Sequence, residues 1–306
     1  MSYTRKTFEE LSVMDDFMMN AIATNKDIGE LFCRKVLSVL LQREIGQIRV
    51  VAQRVIPPLT PNLRGIRMDV EVEELGDAIT ELPVKNIYDL EPHLQKEIHL
   101  PKHNRFYQAK IDSRTLTSGE KDFKKLPKLY ILTFTDYDPF GYDYMMYTVQ
   151  NQCLEIPELA YDDGLQFLYF YPDGKKGGNE EIKALLQYMQ NSIDSNVKDE
   201  TTREIHQYVK QVKIEQEVRD EYMTLEEYIW YAKREAAEEA AEEATQNAQI
   251  QSILELLEDY GEIPEDLKTQ LQKADTDTLK KYLKLAAKAE SIEDFLVKAG
   301  LEKEIY

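Results

Sequence analysis

This 306-residue chain is short of cysteine, of long apolar runs and of basic charge. Its two cysteines, Cys33 and Cys153, cannot build a disulfide framework or a cysteine-based zinc site, and they suit a reducing cytosol. No uninterrupted apolar stretch approaches the roughly 20 residues of a membrane-spanning helix, so no membrane partner is expected. The opening Met1-Ser2-Tyr3-Thr4-Arg5-Lys6 leads into acidic residues and not into an apolar targeting core, which predicts a cytoplasmic protein without a secretory signal. No Ser-His-Asp or Cys-His nucleophile pattern is recognisable. Gly174-Lys175-Lys176-Gly177-Gly178 lacks the spacing and the Lys-Ser/Thr ending of a phosphate loop.

What is present is a globular composition, 42% hydrophobic with 19 Tyr and 10 Phe, large enough for one large core or two smaller ones. The net charge of −19 argues at first against a nucleic-acid partner, but its distribution is uneven: residues 1–140 carry −1 and residues 141–306 the other −18. Arg34, Lys35, Arg43, Arg49, Arg54, Arg64 and Arg67 form one basic stretch, and Lys121, Lys124, Lys125 and Lys128 another. A phosphate backbone responds to such a local field more than to the sum over a chain, although ordinary solubilising charge would read the same way.

Periodicity predicts helices over residues 8–45 with a break at Asn25-Lys26-Asp27, a strand at 48–55, and a proline-rich loop through Pro57-Pro58 and Pro61. Leu129–Thr135 is continuously apolar, as in a strand buried on both faces. Strands are also expected at 144–149 and 165–171, and helices at 105–116, 121–125, 180–192 and 201–229. Residues 232–247 are nearly all Ala, Glu, Lys and Arg and predict a solvated spacer helix, followed by short amphipathic pieces to residue 300. The expected domains are therefore a core at 1–178, a helical extension with its charged spacer at 179–247, and a small helical module at 248–306.

Two segments carry chemistry. Met68-Asp69-Val70-Glu71-Val72-Glu73 and Tyr88-Asp89-Leu90-Glu91-Pro92-His93 alternate acidic and apolar residues with period two. On neighbouring strands Asp69 and Glu91 would share a sheet face, and carboxylates held so close favour a divalent cation between them. The same alternation also describes the solvated face of an edge hairpin. His99 and His103 have the i, i+4 spacing of a zinc pair, but Pro101 between them is expected to interrupt the helix, and no third strong ligand is evident. Asp136 and Asp138 fit either acids near a site or plain turn chemistry. Cys33 falls in an apolar helical stripe and reads as core.

The order of segments resembles a known family. Met14-Asp15-Asp16-Phe17-Met18, Gly65-Ile66-Arg67-Met68-Asp69-Val70, Tyr88-Asp89-Leu90-Glu91, Leu100-Pro101-Lys102-His103-Asn104-Arg105-Phe106-Tyr107-Gln108, Gly119-Glu120-Lys121-Asp122-Phe123 and Phe134-Thr135-Asp136-Tyr137-Asp138-Pro139-Phe140-Gly141 together resemble the recombination-promoting nuclease / putative transposase family of the PD-(D/E)XK nuclease superfamily, over about residues 7–230. Leu257-Glu258-Asp259-Tyr260-Gly261-Glu262-Ile263-Pro264 and Ala289-Glu290-Ser291-Ile292-Glu293-Asp294-Phe295 are similar to a helical module appended to many such chains. The resemblance implies an α/β fold with a restriction-endonuclease-like mixed sheet flanked by helices, ahead of an all-helical C-terminal region. It implies Mg²⁺-dependent hydrolysis of DNA, with Mn²⁺ as an alternative metal, in a role of recombination, transposition or defence.

Asp69 and Glu91 match the family's acidic motif positions. Together with the backbone carbonyl of Pro92 they are the expected metal ligands. His93 stands where the superfamily has Lys and this family often has Gln; a neutral imidazole there would orient or deprotonate water, and a protonated one would stabilise the anionic transition state. The family register places a further helix carboxylate near Ser38, which cannot serve; Glu30 and Glu44 are the nearest acids on that helix, and Glu71 and Asp89 are further acids on the motif strands. Arg67, Arg105 and Lys110 are the expected DNA contacts. Self-association is expected through the helical C-terminal region. The alternative function is a catalytically impaired DNA-binding or partner-recruiting protein of mobile-element origin.

Overall fold

The alternating segments become adjacent strands of one sheet. The computed structural model describes residues 6–52, 55–56, 66–76, 83–116 and 121–301. Its strands are β1 (Ile48–Ala52), β2 (Val55–Ile56), β3 (Ile66–Arg67), β4 (Val70–Leu75), β5 (Val84–His93), β6 (Lys128–Thr135), β7 (Met146–Val149) and β8 (Leu165–Phe170). Six of them form a mixed sheet in the order β1-β4-β5-β6-β8-β7, while β2 and β3 pair separately. The β1–β4, β4–β5 and β7–β8 pairings are antiparallel, and β5–β6 and β6–β8 parallel. The parallel step from β5 to β6 needs a crossover, which helix α3 (Leu100–Thr115) supplies.

Period-two alternation then sorts the side chains. Val70, Val72, Tyr88, Leu90, Leu132 and Phe134 face one way. They join Met18, Ile22, Phe32, Val36 and Leu40 of helices α1 (Asp16–Thr24) and α2 (Gly29–Leu41), and Leu185, Tyr188, Ile205 and Val209 of α4 (Glu180–Gln190) and α5 (Glu200–Ile214), in one core. Ile87, Leu129 and Ile131 face the other way, against Tyr107 and Ile111 of α3. The fold is thus mixed α/β, a six-stranded sheet between α3 on one face and several helices on the other, followed by helices. β6 is buried on both faces, as its continuous apolar run predicts.

Helix boundaries depart from expectation in three places. Pro101 does not separate His99 from His103: it sits in the first turn of α3, where the missing N–H breaks no helical bond, so the helix begins at Leu100 and not at 105. The break expected at Asn25-Lys26-Asp27 runs one residue further, to Ile28, the N-cap position of α2. The helix expected over 201–229 is interrupted at Glu215, in extended conformation, where α5 ends and α6 (Gln216–Glu258) begins.

The chain divides into two compact units, 1–222 and 223–306. The first reaches beyond the expected limit at 178 because the apolar stripes of α4 and α5 belong to the sheet's own core, and because Tyr222 packs on Phe8 and Phe17. In the second, residues 232–245 of α6 are exposed almost throughout. Its later turns place Ile250, Ile253 and Leu257 against Leu267 of α7 (Glu265–Gln272), Leu279 of α8 (Thr276–Ala286) and Phe295 of α9 (Ile292–Ala299). Among the described residues no helix is long and apolar enough to cross a membrane.

The α1–α2 packing depends on a glycine. A Cβ at Gly29 would lie 2.1 Å from the Ala23 carbonyl oxygen. Alanine gains up to about 1 kcal/mol in helix propensity, but the collision is with backbone and can be relieved only by parting the helices. Gly29→Ala is expected to lower stability by about 1–3 kcal/mol, measured by urea unfolding; an unchanged or raised midpoint would contradict this packing.

Candidate functional site

Two hydrogen bonds fix Asp69. It occupies a bend immediately before β4, half-buried. Its backbone N–H donates to Glu91 Oε1 at 3.1 Å, and its carbonyl accepts from Asn20 Nδ2 of α1 at 3.2 Å. The β4–β5 register pairs Val70 with Leu90 and Glu71 with Asp89, which continues to Asp69 beside Glu91. Asp69, Glu71, Asp89 and Glu91 therefore gather on one sheet face, the face covered by α3.

Burial excludes the solvated-hairpin reading. Glu71 and Asp89 are 0% exposed and Glu91 3%. The Arg114 guanidinium of α3 pairs with Glu71. No N–H or hydroxyl group donates to either Asp89 carboxyl oxygen; its side-chain hydrogen-bond partner is the Glu91 carboxyl. Its carboxyl is pushed well above the usual range, first by burial and then by repulsion from Glu71 and Asp69. Glu91 is pushed up too, by burial and then by Asp89 and Asp69, against the stabilising Asp69 N–H.

His93 continues the same strand face, two residues beyond Glu91. Its ring meets His103 edge-on, with centroids 4.8 Å apart, and His103 packs on Tyr107 at 4.2 Å. Burial, then the neighbouring His103, lower His93 to about 4. This favours the neutral imidazole at pH 7, the form that can orient or deprotonate water. Its Nε2 is buried without a hydrogen-bond partner. Pro92 is tolerated inside the sheet because β4 pairing ends at Leu90, so no ladder bond is lost on that side. Asn104 Nδ2 of α3 donates to Thr133 Oγ1 of β6 at 2.8 Å and ties the covering helix to the sheet.

Other expected residues separate. Glu30 and Glu44 are exposed. Glu30 belongs to α2, which packs on the opposite sheet face through Val36 and Leu40, and Glu44 follows that helix; neither joins the acids. Arg67 ends β3, and its side chain lies outside the described residues. On α3, at about 100° per residue, Lys110 shares the flank of His103 and Arg114, the flank that meets His93 and Glu71. Arg105 lies on the other flank with Asp112, a carboxyl raised by burial and by Asp163 near β8. Asp138 is turn chemistry, accepting from Phe140 N, Asp143 N and Tyr147 Oη. The sequence reading missed Asn20, Asn104, His103 and Arg114 as positioning groups. Their only sequence signal was helical spacing on α1 and α3, which does not say where those helices dock.

The donor set fits a hard divalent cation. It is all oxygen, its carboxylates repel one another, and the buried oxygens of Asp89 receive no N–H or hydroxyl donor. Among the described residues no three His, Cys, Asp or Glu side chains are gathered tightly enough to hold a metal ion by themselves. A cation here would have to rely on Asp69 and Glu91, with water and substrate completing its shell.

A carboxyl with a raised pKa favours the fold in its protonated form. Stability from Asp89 and Glu91 is therefore fullest below the ordinary carboxylate pKa and is lost as pH rises through the raised values. Without metal, Asp89→Asn is expected to raise stability at pH 7–8 by about 1–2 kcal/mol, and to flatten its decline with pH above 5. Thermal unfolding in EDTA across pH measures this; destabilisation at pH 8 would contradict it. No protein-family model, curated protein or solved structure matches this chain, so the site is read from its own residues.

Proposed function

We propose that this chain is a divalent-cation-dependent DNA endonuclease of the recombination-promoting nuclease / putative transposase type, and that its sheet is a restriction-endonuclease-like core. The observation that carries the reading is the convergence of Asp69 and Glu91, joined through the Asp69 N–H at 3.1 Å, on the β4–β5 pair followed by crossover helix and parallel strand. Supporting it is the crowding of Asp69, Asp89 and Glu91, which with burial raises both buried carboxyls and which a cation would relieve. Bound Mg²⁺ or Mn²⁺ would acidify a water and neutralise charge on the phosphoryl oxygens.

The chain's own residues do the rest. Asp69 and Glu91 hold the cation, with the Pro92 carbonyl. Asn20, bonded to the Asp69 carbonyl, keeps that residue at the mouth of the acidic face. Asp69 is the more open of the two ligands, so a phosphate approaches from its side. Neutral His93 orients the attacking water or accepts its proton, and the His103–Tyr107 stack holds its ring. Arg114 offsets part of the acidic charge through Glu71.

Supercoiled plasmid incubated with Mg²⁺ or Mn²⁺ tests the reading. The expected result is nicked and linear product, abolished by EDTA and reduced by roughly 10²-fold or more in Asp69→Asn and Glu91→Gln, as for loss of a principal electrostatic group. Retention of DNA without cleavage, unchanged by Asp69→Asn, would contradict it and favour the non-catalytic DNA-binding alternative.

A further inference from the structure

Residues 101–128 form a basic stretch, as residues 34–67 do. They carry a formal charge of +5 inside a chain of −19. They comprise α3, which is laid over the acidic face, and the segment that follows it. The inner side of α3 is accounted for: Asn104, Tyr107 and Ile111 face the sheet, and Arg114 meets Glu71. The outer side is cationic and carries an aromatic ring. Lys102 and Arg105 are exposed, Phe106 is 36% exposed, and Lys110 Nζ stands 5.5 Å from the centre of the Phe106 ring. Lys110 and Phe106 lie towards the flank that reaches Glu71 and His93. Beyond α3 the same pattern recurs: Phe123 is 75% exposed, among the exposed Lys121, Lys124 and Lys125.

Lysines and arginines alone would suit the backbone of any polyanion. Exposed rings between them add a specific requirement. A phenylalanine ring in water gains by stacking on the flat face of a base, and in a duplex that face is already covered by neighbouring base pairs. Only an unpaired strand offers it together with its phosphates. From this juxtaposition we infer that the outer face of α3 binds single-stranded DNA, with Phe106 stacking on a base and Lys110 and Lys102 on adjacent phosphates. The inference rests on the nuclease reading for its polyanion and makes its substrate an unpaired stretch. The acidic tail of the chain, at −18, does not compete for DNA, and this patch is one of two stretches of matching sign.

Fluorescence anisotropy of the full chain in EDTA reads this contact without cleavage, using a labelled single strand and a labelled blunt duplex of equal length over a salt series. The single strand is expected to bind more tightly. Phe106→Ala should weaken single-strand binding by about tenfold while leaving the duplex nearly unchanged, and Lys110→Gln should reduce the salt slope for the single strand by about 0.7. Both side chains are on the surface, and circular dichroism of each variant checks the fold. Equal or tighter duplex binding, or an unaltered affinity in Phe106→Ala, would overturn the inference. Plasmid cleavage without single-strand preference overturns this inference alone. Single-strand binding with the expected variant effects but no cleavage in Mg²⁺ supports it and overturns the nuclease reading alone.

Discussion

The structure is governed by the repulsion among carboxyl groups that two adjacent strands place on one buried face. Directly opposed cross-strand neighbours stand about 5 Å apart and i, i+2 neighbours about 6.6 Å, where two ionised carboxylates at an effective dielectric of about 20 repel by about 3 and about 2.5 kcal/mol. Asp69, Glu71, Asp89 and Glu91 form several such pairs, and Arg114 meets them at Glu71. Such a face persists only if protons or a cation take up the excess charge. The raised values of Asp89 and Glu91 describe the first solution, and a hard divalent ion is the second. That choice between two occupants is what an acid site needs in order to bind metal reversibly.

The same strands show the contrasting case on their other face. Glu74 is also buried, which by itself would raise it, but hydrogen bonds from Arg43, Tyr88, Gly46 N–H and Asn86 outweigh burial and hold it down to about 2. This carboxylate is fully satisfied and anchors the end of α2 to the sheet. Asp89 has burial without such partners. Two acids of similar burial are thus told apart by their donors: one ties the fold together, and the other stores unfavourable energy that a ligand can release.

Much of this was legible in the residues. The alternation through Asp69–Glu73 and Tyr88–Glu91 marks strands, and the apolar run of β6 marks a centre strand, because side-chain direction follows from a period of two. The run cannot say which face a helix covers. Helix α2 carries Glu30, with Glu44 just beyond it, the acids nearest the family position at Ser38; it packs on the apolar face through Val36 and Leu40, and that choice is made by docking and not by its own periodicity. Pro101 was read as a break because its position relative to the helix start is not written in the spacing of His99 and His103. For a similar reason the pattern does not say what α4 and α5 pack on: they are amphipathic whether their apolar stripes meet each other or the sheet. Asn20, Asn104 and Arg114 act across 49, 29 and 43 residues of sequence, distances over which local pattern carries no information.

The central claim is that these carboxyls converge on a cation and not merely on each other. Crystals of the chain soaked in Mn²⁺ and measured for anomalous scattering test it directly. The account predicts an anomalous peak bonded to Asp69 and Glu91, with the Pro92 carbonyl turned towards it. Full Mn²⁺ exposure leaving no peak there, with Asp89 and Glu91 paired through a shared proton instead, would contradict it.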